Sequence, residues 1–452
     1  MVSILRNRTY AHLFAAQVIA LVGTGLATVA LGLLAYDLAG ADAGSVLGTA
    51  LAIKMAAYVG IAPVVSALAH RIPRRSLLIG ADLTRAAVAL SLPFVGEVWQ
   101  VYLLVFLLQS ASAAFTPTFQ SVIPEVLPDE HEYTRALSLS RLAYDLESLF
   151  SPALAAALLT AIGYHLLFLG TVAGFLASAA LVVSSVLPKP VPPARTEGVY
   201  ARATAGTRLF LATPRLRALL ALNLAVAAAS AMVTVNTIVY VRDHLHRAAT
   251  DVPLALGAYG AGSMASALLL PRVLDHRSDR SLMLPGAFAV STLLGLLAAA
   301  GAAGSGDWRW PALLATWAAV GAACSAILTP TGRLIRRSAT PADLPAAFAA
   351  QFSLSHGCWL ITYPLAGVLG AAAGLPVTAL TLGALALTAA LVAVRLWPAL
   401  DATRLPHVHT ALDHSHPHLA GAHSTGAGWQ HTHDYVIDDL HHHWPSAPAP
   451  VH

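Results

Sequence analysis

Long apolar stretches separated by short polar connections repeat from near the start of the chain to about residue 397, and this rhythm restricts it to very few folds. Each stretch is close to the ~20 residues that a helix needs to cross ~30 Å of hydrocarbon. In hydrocarbon every backbone N–H and C=O must be satisfied within the protein, so a succession of such stretches means spanning helices. Segmentation places twelve near 11–36, 44–69, 76–96, 98–120, 140–162, 165–187, 216–240, 253–272, 281–301, 309–330, 351–371 and 375–397. Only 11% of residues are charged, against ~25% in soluble domains. The first stretch lacks a small-residue cleavage pattern behind a short core and is expected to remain as a helix.

Basic residues sort by side. Arg6, Arg8, Arg71, Arg74, Arg75, Arg135, Arg141, the connection between spans six and seven, Arg217, Arg272, Arg277, Arg280, Arg333, Arg336, Arg337, Arg395 and Arg404 account for 21 of the 26 Lys and Arg, all on one side of the twelve-span arrangement. Cytoplasmic loops carry the excess of Lys and Arg, so both termini are expected in the cytoplasm. Residues 188–215 are polar and Pro-punctuated and read as a linker. The expected organisation is therefore a six-helix bundle over 1–187, the linker, a second six-helix bundle over 216–397, and a disordered cytoplasmic tail over 398–452. These loops account for the net charge of +4, and no basic stripe is interleaved with aromatics, which argues against a nucleic-acid partner. The two cysteines, Cys324 and Cys358, lie in apolar stretches and read as core thiols, with no disulfide framework or CxxC site.

The tail is unlike the rest of the chain. It holds twelve His, against eight in everything before it: His407, His409, His414, His416, His418, His423, His431, His433, His441, His442, His443 and His452. Imidazole is the commonest side-chain ligand for borderline transition metals, and pairs such as His407-x-His409 and His431-x-His433 can chelate from a flexible chain. The tail has neither Cys nor Met, so soft-ligand sites are excluded. With Asp413, Asp434, Asp438 and Asp439 as further donors, it suits Ni(II), Co(II), Zn(II) or Cu(II). The competing reading is a low-complexity tract with no physiological metal.

The chain also carries an internal duplication. Leu68-Ala69-His70-Arg71-Ile72-Pro73-Arg74 recurs as Leu274-Asp275-His276-Arg277-Ser278-Asp279-Arg280, 206 residues on. Thr116-Pro117-Thr118 recurs as Thr329-Pro330-Thr331, at an offset of 213. Two motifs recurring in order at nearly one offset point to a six-plus-six transporter. At these residues the chain resembles the major facilitator superfamily, whose loop signature after span two runs approximately G-x-x-x-D-R-x-G-R-R. Ser66, His70, Arg71, Pro73, Arg74 and Arg75 stand at those places; the basic residues match, and both Gly and the Asp do not. The resemblance implies gating loops at His70, Arg71, Arg74, His276, Arg277 and Arg280, with His70 replacing the family's Asp. A closer resemblance is to the NreB-type nickel-resistance exporters of that superfamily. It is carried by Arg6-Asn7-Arg8-Thr9-Tyr10 with Leu13, Phe14 and Gln17, by Phe115-Thr116-Pro117 with Gln120 and Pro124, by Ala136-Leu137-Ser138-Leu139-Ser140-Arg141, and by the tail.

Charged residues inside spans cost about 2.5 to 3.5 kcal/mol each and face a cavity or a partner. Lys54 sits ten residues into span two, ~15 Å deep, and reads either as a cavity residue or as half of a fixed interhelical ion pair. Asp82 and Arg85 share a helix face and read as a local pair. In span five Arg141 and Asp145 share a face, while Glu147 is about 200° round from Asp145. Asp145 and Glu147 are the candidate proton carriers. His356 and Cys358, two positions apart on a helix, cannot both face a cavity. Asn223 and Asn236 read as interhelical glue, and Asp243, His244 and His246 as a solvated loop.

No GxxxxGK[ST] loop, HExxH or nucleophile elbow is present, so no catalytic residue, enzymatic activity or required cofactor is expected. The sequence thus predicts a secondary exporter of Ni(II), with Co(II) as a second substrate, in a bacterial cytoplasmic membrane. Its expected partners are the metal as substrate, the proton as coupling ion and the lipid bilayer, and it is expected to be a monomer or weak oligomer. The rival expectations are an exporter of a drug or siderophore with a metal-buffering tail, and a membrane metal sensor that transports nothing.

Overall fold

The computed structural model describes residues 2–39, 43–68, 72–159, 161–187, 199–247, 251–302, 306–410, 412–413, 416–419, 421–426, 428–438, 440–441 and 443–445. Six helices form the first half: α1 (Arg8–Ala39), α2 (Ala43–Leu68), α3 (Arg74–Ser91), α4 (Val98–Val126), α5 (Glu130–Leu159) and α6 (Tyr164–Val183). A short helix, α7 (Val199–Ala212), leads to the second half. That half comprises α8 (Pro214–Val239), α9 (Val252–Leu274), α10 (Asp279–Ala302), α11 (Arg309–Leu328), α12 (Thr331–Arg336), α13 (Leu344–Ala373) and α14 (Leu375–Leu396).

Local sequence sets these boundaries. Glu97 and Gln100 form a reciprocal cap at the start of α4, with the Gln100 Oε1 accepting from the Glu97 N–H at 3.1 Å. Proline stands in the first turn of α8, α9, α13 and α14, where its missing N–H has no intrahelical partner to lose. Gly374, at φ +82°, makes the reversal from α13 into α14, a conformation that a Cβ would strain.

The buried apolar residues divide by half. One cluster runs from Leu209 to Ile437, and three others lie wholly between Ile4 and Val182. A small cluster of Ala62, Ala113, Ala349 and Phe352 bridges them. Helices associating in lipid gain little from hydrophobic burial and depend on close packing instead. Gly262 of α9 and Gly321 of α11 show this directly, because a Cβ on either would collide with a backbone carbonyl of the other helix. The outer surface is apolar: Leu83, Leu90, Leu103, Phe106, Leu107, Leu166, Leu169 and Leu176 are all exposed. Such a surface belongs in hydrocarbon.

Nine helices among the described residues are long and apolar enough to cross a membrane, and α2 adds a shorter apolar stretch, Ala52–Val65. The remaining expected spans fall on α5 and α13, which carry Arg141, Glu147 and His356.

α7 occupies the second part of the expected linker. Leu209 and Phe210 are buried there, and Gly206 lets the helix approach the Ala346 carbonyl of α13. The tail, expected to be disordered, contains an antiparallel sheet of β1 (Arg404–His409), β2 (His423–Thr425) and β3 (Gly428–Asp434), in the order β1-β3-β2. The reason lies in its alternation: HxH is also a strand pattern, with every second residue on one face.

Replacing Gly262 or Gly321 with Val should overpack the α9–α11 contact and destabilise the protein by about 1–3 kcal/mol. A fall in the thermal midpoint of the detergent-solubilised variants checks this, and unchanged midpoints would refute the packing argument.

Candidate functional site

In the sheet, His407 of β1 pairs across from His431 of β3, with Leu405 opposite His433 and His409 opposite Trp429. His407 and His409 therefore share a face with His431 and His433. The turn over Pro417–Leu419 adds His418, and the segment after β3 adds His441. The Nε2 atom of His407 lies 3.1 Å from that of His409, 3.0 Å from that of His431 and 3.0 Å from that of His441. His433 and His418 approach through the same atoms at 3.2 Å. Two overlapping groups of four have all their ligand atoms within 4.8 Å: His407, His418, His433 and His441, and His407, His409, His418 and His431.

Hydrogen bonds at the far ring nitrogens decide what these Nε2 atoms are. The Nδ1 of His407 faces the Leu405 carbonyl at 3.0 Å, that of His433 the Asp434 carbonyl at 2.8 Å, and that of His441 the Asp438 carboxylate at 2.8 Å. Each of these Nδ1 atoms must carry the proton, which leaves a lone pair on Nε2. His407 and His441 thus point lone pairs at each other across 3.0 Å, a repulsive arrangement unless a cation lies between them. Ligands at ~2.0–2.1 Å from a metal sit about 2.9–3.4 Å apart, which matches the observed spacing.

The surroundings of His407, His409, His418 and His431 favour the neutral imidazole. Burial first, then the neighbouring imidazoles, lower His409, His418 and His431 to about 4 each. Burial lowers His407 too, against its bond to Leu405. Burial alone would raise Asp438, but its hydrogen bond to His441 and the N–H groups of Leu440 and His441 hold it below the ordinary carboxylate value.

The other described tail candidates are not members of these two groups. His416 accepts the His418 N–H, His423 and His443 are exposed, and His414 and His442 lie outside the described residues. Asp413 and Asp434 are exposed, Asp439 lies outside the described residues, and Asp438 bonds the ligand His441. The sequence carried the sign of this in Asp438-x-x-His441, but the pairing needs a loop conformation that spacing alone does not fix.

Within the helices, Lys54 lies 5.6 Å over the Tyr58 ring, and Glu147 supplies the opposing charge that acts on it. Tyr58 also packs on Phe352 at 4.8 Å and on His356 at 4.7 Å, so α2 of the first half meets α13 of the second here. His356 bonds the Phe352 carbonyl through Nδ1 at 2.7 Å. Tyr58 was missed in the sequence, although it lies four residues after Lys54 and on the same face. Cys358 is buried against its own helix, bonding the Leu354 carbonyl. Arg141 reaches Ser263 of α9 at 3.0 Å, and the Asp145 side chain lies outside the described ones. Asp82 and Arg85 form a buried ion pair inside the first half. Ser178 donates to Asp82 at 2.7 Å, and Phe115 and Phe175 sandwich the guanidinium.

Among the described residues, the contacts that cross between the halves at the end bearing both termini come from residues beside those the loop motif implied. His70 and Arg71 lie outside the described residues, Arg74 pairs with Glu125 of its own half, His276 and Arg277 are exposed, and Arg280 caps the Trp397 carbonyl. The halves are joined instead by Glu130–Arg333 at 3.1 Å, His131–Asp275 at 2.8 Å and Arg336 on the Pro128 carbonyl. Arg333 and Arg337 converge on buried Asp279, at 3.4 and 3.1 Å. The second copy of the motif contains Asp275 and Asp279, but their partners His131, Arg333 and Arg337 lie in other helices, where spacing within the loop cannot mark them.

A profile described as the Major Facilitator Superfamily matches residues 13–308 and 219–421. The "Uncharacterized MFS-type transporter YfiS" of Bacillus subtilis is 29% identical over 122 residues, 27% of this chain and 29% of that protein. "Macrolide efflux protein A" of Streptococcus pyogenes is 30% identical over 122 residues, 25% of this chain and 30% of that protein. The matched stretch thus spans about three-tenths of these relatives. The fold is similar to that of the human organic anion transporter MFSD10 (TETRAN), with a TM-score of 0.70, 12% identity, and coverage of 85% of this chain and 99% of that one.

A depressed imidazole stabilises the folded tail fully above its unfolded pKa of about 6.5 and loses that contribution as pH falls through about 4. Amide protection over 404–434, corrected for intrinsic exchange, should therefore collapse between those values in the metal-free protein, and nickel should shift the collapse to lower pH. Constant protection across that range would contradict the imidazole assignment.

Proposed function

Because the chain belongs to the Major Facilitator Superfamily, a family of transporters and not of enzymes, we propose that it is a secondary active exporter of a borderline divalent cation. Ni(II) is the primary substrate and Co(II) the second, and export runs against inward proton flow. The protein works in a bacterial cytoplasmic membrane with both termini in the cytoplasm, where the tail meets metal before the spans do. The observation that carries this reading is the convergence of imidazole lone pairs in the tail at 3.0–3.2 Å. Nitrogen-only ligation suits nickel and cobalt, whereas a soft or all-oxygen set would select other ions.

The tail collects the ion, the helices move it, and the halves rock about the site between them. Lys54, Glu147, Tyr58 and His356 lie where both halves meet, a place that changes its access as the halves move. Glu147 carries the coupling proton: in one state the field of Lys54 favours the carboxylate, and when the geometry opens the acid rebinds a proton. The closed mouth described above corresponds to the state that opens away from the cytoplasm.

A second reading is supported by the macrolide-efflux relative and by the aromatic group of Tyr58, Phe352, His356 and Trp359. In it the spans export an organic solute and the tail only buffers metal. Proteoliposomes loaded with a nickel-sensitive dye, under an imposed pH gradient, separate the two. Gradient-driven nickel flux supports the first reading, and flux of a macrolide without nickel flux supports the second.

Glu147→Gln should abolish gradient-driven nickel flux while tail binding, followed by calorimetry, stays within about twofold of the parent, because an amide cannot exchange the proton. Retained proton-coupled flux in that variant would place the coupling group elsewhere.

A further inference from the structure

The tail is seated on the second half of the bundle. Beyond β3, the Tyr435 N–H bonds the Thr403 carbonyl at 2.7 Å, and the ring packs on His407 at 4.8 Å and on His441 at 4.5 Å. One side of the imidazole knot is therefore made by its own anchor. Ile437 is buried in the same apolar cluster as Leu209 and Phe210. The Tyr435 hydroxyl donates to the His443 carbonyl at 2.7 Å, and Trp444 stands edge-on to Tyr435 at 5.3 Å. The guanidinium of Arg215 lies over Trp444 at 5.0 Å.

From Arg215 a chain of charges runs to the mouth. Arg215, itself 1% exposed, pairs with Asp401 at 3.2 Å, and Asp401 holds the Trp397 indole N–H at 3.0 Å. Arg337 lies 3.9 Å from Asp401 and 3.1 Å from Asp279. Asp279 also faces Arg333 at 3.4 Å, and Arg333 makes the 3.1 Å bridge to Glu130 that joins the halves. Charges removed from water screen one another weakly, so displacing one member is felt by the next.

We propose that the imidazole knot is a regulatory metal site. A borderline divalent cation held there by four imidazoles clamps Tyr435, Ile437, His441 and Trp444 onto the second half and, through Arg215, Asp401, Arg337 and Asp279, favours closure of the mouth by Glu130 and Arg333. Without a cation the lone pairs of His407 and His441 oppose each other, the segment bearing His441 is pushed away, and Trp444 leaves Arg215. Occupancy and closure then rise together, so the transporter commits to its outward-opening state when cytoplasmic metal is present. The inference rests on the tail being a metal site and is independent of which solute the spans carry.

The test uses the full-length protein in nanodiscs, with Cys324 and Cys358 replaced by Ser and spin labels on Glu132→Cys and Arg277→Cys, exposed positions on either side of the mouth. Nickel chloride should raise the ratio of short to long label distances by about fivefold or more. The His407→Ala/His441→Ala variant should lose both nickel binding, read by calorimetry, and the distance change. Asp401→Asn and, as a variant altered only in the tail, Trp444→Ala should still bind nickel yet lose the change. An unchanged ratio at saturating nickel, or a full shift in the Trp444→Ala protein, would overturn the proposal. Absence of nickel binding in the parent protein would remove the metal reading beneath it, a failure that calorimetry separates from a broken link to the mouth.

Discussion

Everything in this fold follows from the impossibility of leaving a peptide group unpaired in hydrocarbon. That constraint makes the spanning segments helical, and it makes polar side chains between them expensive unless they find one another. The first half meets the cost locally at Asp82 and Arg85, which satisfy each other beside Ser178. At Lys54 and Glu147 it leaves the charges where the halves meet. The two arrangements thus differ in location more than in chemistry.

Much of the architecture was legible in the sequence because period, length and charge asymmetry are local signals. The succession of spans, the duplication and the family resemblance all came from such patterns. The tail shows where legibility ended. His407-x-His409 and His431-x-His433 announced a metal-binding composition, but the same alternation was also a strand signal, and only the ladder pairing His407 with His431 turns two loose chelators into one site. His418 and His441 could not have been singled out from their neighbours, since their membership depends on a turn and on the reach of Asp438.

The contacts across the mouth were hidden for a related reason. A loop motif names residues near each other in sequence, whereas Glu130 and Arg333 are drawn together by the docking of one bundle on the other. Tyr58 lay in view, one helical turn from Lys54, but aromatic residues in spans are usually packing. Its importance comes from meeting Phe352 and His356 across the interface.

The buried aspartate at 279 carries a consequence for the duplication itself. Applying the 206-residue offset between the repeated motifs places Pro73 opposite it in the first half. Proline offers no charge and no backbone donor, so the first copy cannot gather arginines as the second does. Among the described residues the twofold symmetry is broken at the rim: one half brings the cluster of Asp279, Arg333 and Arg337, and the other meets it with Glu130, His131 and the Pro128 carbonyl. Each cycle of opening therefore disassembles contacts on one face and leaves the opposite ionic cluster intact, so the two bundles, though built on one plan, part company as unequal partners.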